Sequence, residues 1–139
     1  MNYSIAEFYI NEQEEWKDSI EFYLEYIDET EEWLNEITRY DTVIHLAAKV
    51  EHHLNQLQVS KLDFFRQQSG IEVLKKQLLL KNLPLENEQI SAGIHQQQKT
   101  LRENMHSLEK TFLDTKYSCN EFLASTLQEQ KEKNKNSDT

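Results

Sequence analysis

Two pairs of side chains have a spacing that suits a metal site on one face of a helix. Glu103 and His106 are three residues apart, and Asp41 and His45 are four apart. Side chains at these separations are neighbours on a helix, and di-iron bundles combine two Glu-x-x-His pairs with two further glutamates. Glu-x-x-His occurs once in this chain. A metal-carboxylate helical bundle is therefore the alternative hypothesis, and we favour an exposed surface pair.

The remaining histidines do not complete such a site within one chain. If the chain reverses near Pro84, His45 and His52 in the second segment face neither His95 nor His106 in the third. A closed zinc site needs four ligands at one level. The sequence leaves open a metal site that is formed by residues of two chains.

A cysteine close to a histidine is the second arrangement that could do chemistry, because this pair is the minimal form of an activated thiol nucleophile. The same reversal brings Cys119 within about one turn of His52 and His53. However, Cys119 falls on an apolar stripe, where cysteine usually acts as a small hydrophobic residue. We therefore predict no enzyme, no catalytic residue, no cofactor and no evident small-molecule substrate.

The most regular element is a seven-residue repeat of apolar residues between residues 43 and 82. Six successive positions form the interaction seam: Val43, Val50, Leu57, Phe64, Ile71 and Leu78. A strict seven-residue repeat is typical of helices that supercoil around each other. Further apolar residues widen this stripe, namely Leu46, Leu54, Leu62, Phe65 and Leu74. His53, Ser60 and Gln67 share a second seam position, which predicts a polar middle of the bundle that fixes register.

Residues 1–42 form an acidic and aromatic segment. They carry 13 acids and two bases, a net charge of −11, whereas residues 43–82 carry three acids and six bases, or +3. Apolar residues recur in the first segment at helical spacing. The residues that characterise this acidic aromatic helix are Trp16, Tyr23, Ile27, Trp33 and Leu34. We favour docking of the segment on the basic second segment, and binding of a basic partner protein is the open alternative.

Composition excludes most other fold classes. The chain has two Gly and one Pro in 139 residues, too few for the turns that hairpins and βα junctions require. We predict an all-α fold, an elongated antiparallel three-helix bundle with coiled-coil-like heptad packing. The expected helices cover about 4–38, 42–82 and 86–129 in one domain over 1–130, and a flexible polar tail follows over 131–139.

The connection at residues 38–42 separates two arrangements of the helices. It contains neither Gly nor Pro, yet the apolar frame shifts there, which favours a turn or a local irregularity of a continuous helix. A turn gives the three-helix bundle that we favour. In the alternative, the first helix overhangs a long helical hairpin that dimerises into a four-helix bundle.

Charge and apolar pattern also bear on the class of function. No apolar run approaches the roughly 20 residues of a membrane span, and a net charge of −10 disfavours binding to nucleic acid or to an anionic membrane. A single Cys and an N-terminus without a signal-peptide pattern favour a cytoplasmic protein. We expect a non-enzymatic helical interaction or scaffold protein that forms a homo-oligomer or binds another helical protein.

Overall fold

The protein is all α-helical wherever the structure describes it. The computed structural model describes residues 4–40, 44–80 and 92–137, with the side chains of 4–39, 46–79 and 92–132. Helix α1 spans Ile5–Tyr40, α2 spans Ile44–Leu80 and α3 spans Ala92–Ser137. They contain 36, 37 and 46 residues, so at 1.5 Å per residue they are about 54 to 69 Å long and the bundle is elongated.

Helices α1 and α2 pack against each other in opposite directions. Asp28 Oδ1 lies 2.9 Å from Lys61 Nζ, and Glu14 Oε1 lies 2.8 Å from Lys75 Nζ. The residue number on α2 therefore falls as the number on α1 rises, which is the pattern of an antiparallel pair. The chain reverses between these helices, which is the favoured one of the two arrangements considered for this connection, although residues 41–43 themselves lie outside the described residues.

Helix α3 packs on both α1 and α2. Its contacts with α1 run from Gln98 beside Gln13 to Asn120 beside Tyr26, so these two helices are parallel. The three-helix bundle is thereby confirmed. The overhanging first helix of the alternative arrangement is wrong, because α1 buries its apolar face against the other two helices of its own chain.

The core consists mainly of apolar residues at heptad spacing on all three helices. The described seam residues are at most 4% exposed: Val50, Leu57, Phe64, Ile71 and Leu78. They meet residues of α1 and α3 such as Ile20, Ile27, Leu34, Met105 and Phe112. Val43, the first seam residue, lies outside the described residues. The seam is therefore occupied within the chain.

The ends of the helices differ from the predicted bounds at α3. Ser4 caps the start of α1, since the Glu7 amide donates to Ser4 Oγ at 3.1 Å. In contrast, α3 continues to Ser137, although a flexible tail was expected from residue 131. The Lys and Glu residues of this stretch are good helix formers, and no Gly or Pro interrupts it. The turn expected at Pro84 lies outside the described residues.

Buried polar side chains interrupt the core at several levels. Between α1 and α3, the Gln13 amide donates to Gln98 Oε1 at 2.8 Å, and both side chains are at most 1% exposed. Between α2 and α3, Gln67 Nε2 donates to the carbonyl of Leu101 at 2.7 Å. The predicted polar seam is present at Gln67 and at the buried Ser60. The burial of Gln13 and Gln98 was not predicted, because glutamine is usually exposed.

Candidate interaction surface

The structure describes the side chains of two of the four candidate metal ligands. Glu103 and His106 are both exposed on α3. Asp41 and the side chain of His45 lie outside the described residues. Among the side chains that the structure describes, no three His, Cys, Asp or Glu residues are close enough to hold a metal ion.

Cys119 and His53 do meet, and their surroundings keep both neutral. Cys119 Sγ lies 3.6 Å from His53 Nδ1. Burial raises the pKa of the Cys119 thiol to about 11. Burial also lowers the pKa of His53, and the neighbouring His52 lowers it further. Since the thiolate is the nucleophilic form of cysteine, these shifts oppose activation, and the pair is a buried polar contact between α2 and α3.

The acidic aromatic helix has one buried face. Ile27 and Leu34 are fully buried, and Trp16 and Tyr23 pack against the core. The Tyr23 ring lies 4.8 Å from the Phe112 ring, between centroids, and also contacts Phe64. Trp33 differs from the others, since it is 56% exposed.

Ion pairs attach the acidic helix to the bundle on both sides. In addition to its pairs with α2, α1 binds α3 through Glu12, whose carboxylate receives two hydrogen bonds of 2.7 Å from Arg102. Burial alone would raise the pKa of Glu12, but the hydrogen bonds from Arg102 and Gln98 lower it. These contacts favour docking of the acidic segment within its own chain.

A second apolar strip lies on the opposite side of α2 from the core. Its side chains are about half exposed. They are Val59 (58%), Leu62 (53%), Phe65 (44%), Val73 (56%) and Leu79 (57%). We call these residues the outer α2 strip. They occupy the helix positions that α1 and α3 leave uncovered. Leu62 and Phe65 were predicted to widen the buried stripe, and this prediction is wrong.

The heptad register contains the signal that separates the two faces. Once Leu57, Phe64 and Ile71 are placed in the core, Leu62 falls two residues before a core position and Phe65 falls one after it. At about 100° per residue, such positions are turned away from the core. Leu46 and Leu54 are half-buried against the core, and Leu74 is buried.

Shallow grooves flank the outer α2 strip. One lies between α1 and α2 and is lined by Lys17, Phe65, Ser69 and Val73, among others. The other lies between α2 and α3, where Ser69, Val73 and Leu101 contribute to an apolar lining. The strip is therefore a ridge with a groove on each side, centred near Ser69.

Comparisons with known proteins identify no relative. No protein-family model matches the sequence, and neither a curated protein nor a solved structure matches it significantly. Within the described residues, none of the helices is long and apolar enough to cross a membrane. The case for a role of the outer α2 strip therefore comes from its own residues, which are apolar and exposed.

Proposed function

We propose that the chain is a non-enzymatic helical interaction protein that self-associates through the outer α2 strip. One observation carries this proposal: five large apolar side chains lie on the side of α2 that α1 and α3 leave uncovered. This side of the helix is therefore suited to a partner.

The members of the strip lie on the side of α2 that faces away from the core, from Val59 to Leu79, and polar residues such as Arg66 and Glu72 lie between them. Large exposed apolar side chains gathered on one side of a helix suit an interaction site. An apolar helix face is also the form in which helical partners recognise each other. A cytoplasmic, reducing compartment suits the single free Cys119.

Sedimentation velocity of the full chain over a broad concentration range tests the proposal. We expect a dimer or a larger oligomer that dissociates on dilution. Leu62→Glu should shift the equilibrium to monomer, because a buried charge on an apolar contact is unfavourable. Leu113→Glu is the matched control, since Leu113 is 52% exposed and lies on α3.

The two variants should have the same helical content by circular dichroism, because neither side chain belongs to the core. A chain that stays monomeric at every concentration would contradict the proposal. So would an oligomer that Leu62→Glu and Leu113→Glu weaken equally.

A further inference from the structure

We infer that protonation of His53 opens one end of the bundle, where its side chain packs between α2 and α3, while the opposite end stays folded. The contacts of His53 with Cys119 and Phe122 are called the His53 contact below. This pH-sensitive opening occurs within one chain, so it goes beyond the proposed self-association and does not depend on it.

The His53 contact joins α2 to α3 through the imidazole ring. Nδ1 lies 3.6 Å from Sγ of Cys119, and the ring stacks on Phe122 with centroids 4.8 Å apart and planes at 26°. Burial raises the pKa of the Cys119 thiol to about 11, so the thiol keeps its proton at neutral pH. The hydrogen bond therefore runs from the thiol to Nδ1 when the imidazole is neutral and carries its proton on Nε2.

Protonation of His53 removes this acceptor. An imidazolium has a hydrogen on both nitrogens, so the thiol can no longer donate to Nδ1. The new charge must also lose water to stay between the helices, which agrees with the burial that lowers the pKa of His53. An open end, in which water reaches the ring, therefore binds the proton more tightly than the closed end does.

The charges on α2 and α1 do not compensate an imidazolium at this position. On α2, the neighbours of His53 are His52, whose ring centroid lies 5.4 Å away, and the exposed Lys49 one turn earlier. On α1, the antiparallel register puts Glu36 at the level of His53. Glu36 is exposed and pairs with Arg39 of its own helix at 3.3 Å.

The charged residues of α3 near His53 also have other partners. Lys116 Nζ lies 4.6 Å from the ring centroid of Tyr26 on α1. Glu121 is exposed and accepts a hydrogen bond of 3.0 Å from Tyr117. Among the side chains that the structure describes, no carboxylate contacts His53. A buried positive charge without such a partner is unfavourable.

Ion pairs between the helices lie at other levels of the bundle. Within the described side chains, they are Glu12–Arg102, Glu14–Lys75 and Asp28–Lys61. None of them lies between His53 and the start of α2, so this end is held mainly by apolar side chains such as Val50 and Leu54 and by the His53 contact. Local opening requires the least free energy where few contacts hold a segment. A single protonation therefore opens this end first.

The reactivity of Cys119 measures the opening, since it is the single cysteine of the chain and is buried. Dithiodipyridine is a suitable reagent because it reacts with thiols at acidic pH. The labelling rate of the folded full chain is divided by the rate of the urea-unfolded chain at the same pH. This ratio removes the effect of pH on the reagent and on the thiol.

We expect the ratio to rise about three- to tenfold from about pH 7.5 to about pH 5.5. Tenfold is about the limit for a histidine that has its ordinary pKa of 6.5 in the open state. In His53→Gln the ratio should be the same at both pH values, whatever its size, because glutamine does not titrate. His106→Gln, exposed on α3, is the control and should keep the rise.

Hydrogen exchange of the unsubstituted chain locates the opening. After correction for the pH dependence of chemical exchange, peptides from residues 46–57 and 115–126 should exchange faster at the lower pH. Peptides around the buried contact of Gln13 with Gln98, at the opposite end, should not.

Three results would overturn the inference. One is a labelling ratio that does not change with pH, or that falls at the lower pH because the Phe122 ring stabilises the imidazolium. Another is an equal rise in His53→Gln, which would assign the effect to a different group. The third is faster exchange at both ends alike, which is the behaviour of global unfolding. A rise that His53→Gln abolishes, confined to the end with the His53 contact, supports the inference whether or not the chain self-associates.

Discussion

The imidazole of His53 lies between the thiol of Cys119 and the ring of Phe122, with 4.8 Å between the two ring centroids. Burial, and then His52, lower the pKa of His53 below its ordinary value of 6.5. The unfolded chain therefore binds a proton at a higher pH than the folded chain does. Stability that depends on neutral His53 is present above pH 6.5 and is lost as the pH falls towards the lower, folded pKa.

We therefore expect His53→Gln to flatten the pH dependence of stability between about pH 7 and pH 5, where ordinary histidines titrate. Urea unfolding of both chains at several pH values measures this. His106→Gln is the control, because His106 is exposed on α3, and it should keep the slope of the unsubstituted chain. If the stability of His53→Gln has the same pH dependence as that of the unsubstituted chain, protonation of His53 is not its cause.

At the level of the elements, Gly70 marks a close contact between α2 and α3. A methyl group at Gly70 would lie 3.1 Å from Cδ2 of Leu101, which is tighter than an ordinary contact. Glycine inside a helix costs about 1 kcal/mol relative to alanine. In Gly70→Ala, the gain in helix propensity and the crowding of Leu101 therefore oppose each other.

We expect Gly70→Ala to change the free energy of unfolding by less than about 1 kcal/mol in the unsubstituted chain. In a Leu101→Ala background the crowding is gone, so the same substitution should stabilise by about 1 kcal/mol. Urea unfolding of the four chains measures this difference. The same effect in both backgrounds would show that the contact with Leu101 is not tight.

The helices also show which features of the fold can be predicted from the sequence. The core positions Leu57, Phe64 and Ile71 follow from periodicity, because a helix buries one stripe. The reversal after α1 does not, because the shift of the apolar frame is compatible with a turn and with a continuous helix. The apolar pattern alone placed Leu62 and Phe65 in that stripe, although positions two before and one after a core residue are turned away from the core. It also did not find the buried Gln13–Gln98 contact, because a hydrogen bond between two polar side chains leaves no apolar signal in the sequence.

The whole molecule has a net charge of −10, and this charge opposes the association of two copies. Most of the excess acid lies on α1, where Glu15, Asp18, Glu21, Glu25 and Glu29 are exposed or half-exposed. The proposed contact lies on α2, so these acids are not paired across it. Two copies therefore repel each other over distances longer than the contact itself.

The salt dependence of dimerisation distinguishes this long-range repulsion from interactions between charges in contact. At about 0.1 M ionic strength, charges more than about 10 Å apart are largely screened, whereas pairs in contact are screened less. We therefore expect dimerisation to strengthen when NaCl is raised from about 0.01 M to about 0.15 M. Sedimentation equilibrium of the full chain measures this change. Dimerisation that weakens steadily with salt would mean that ion pairs between the copies outweigh this repulsion.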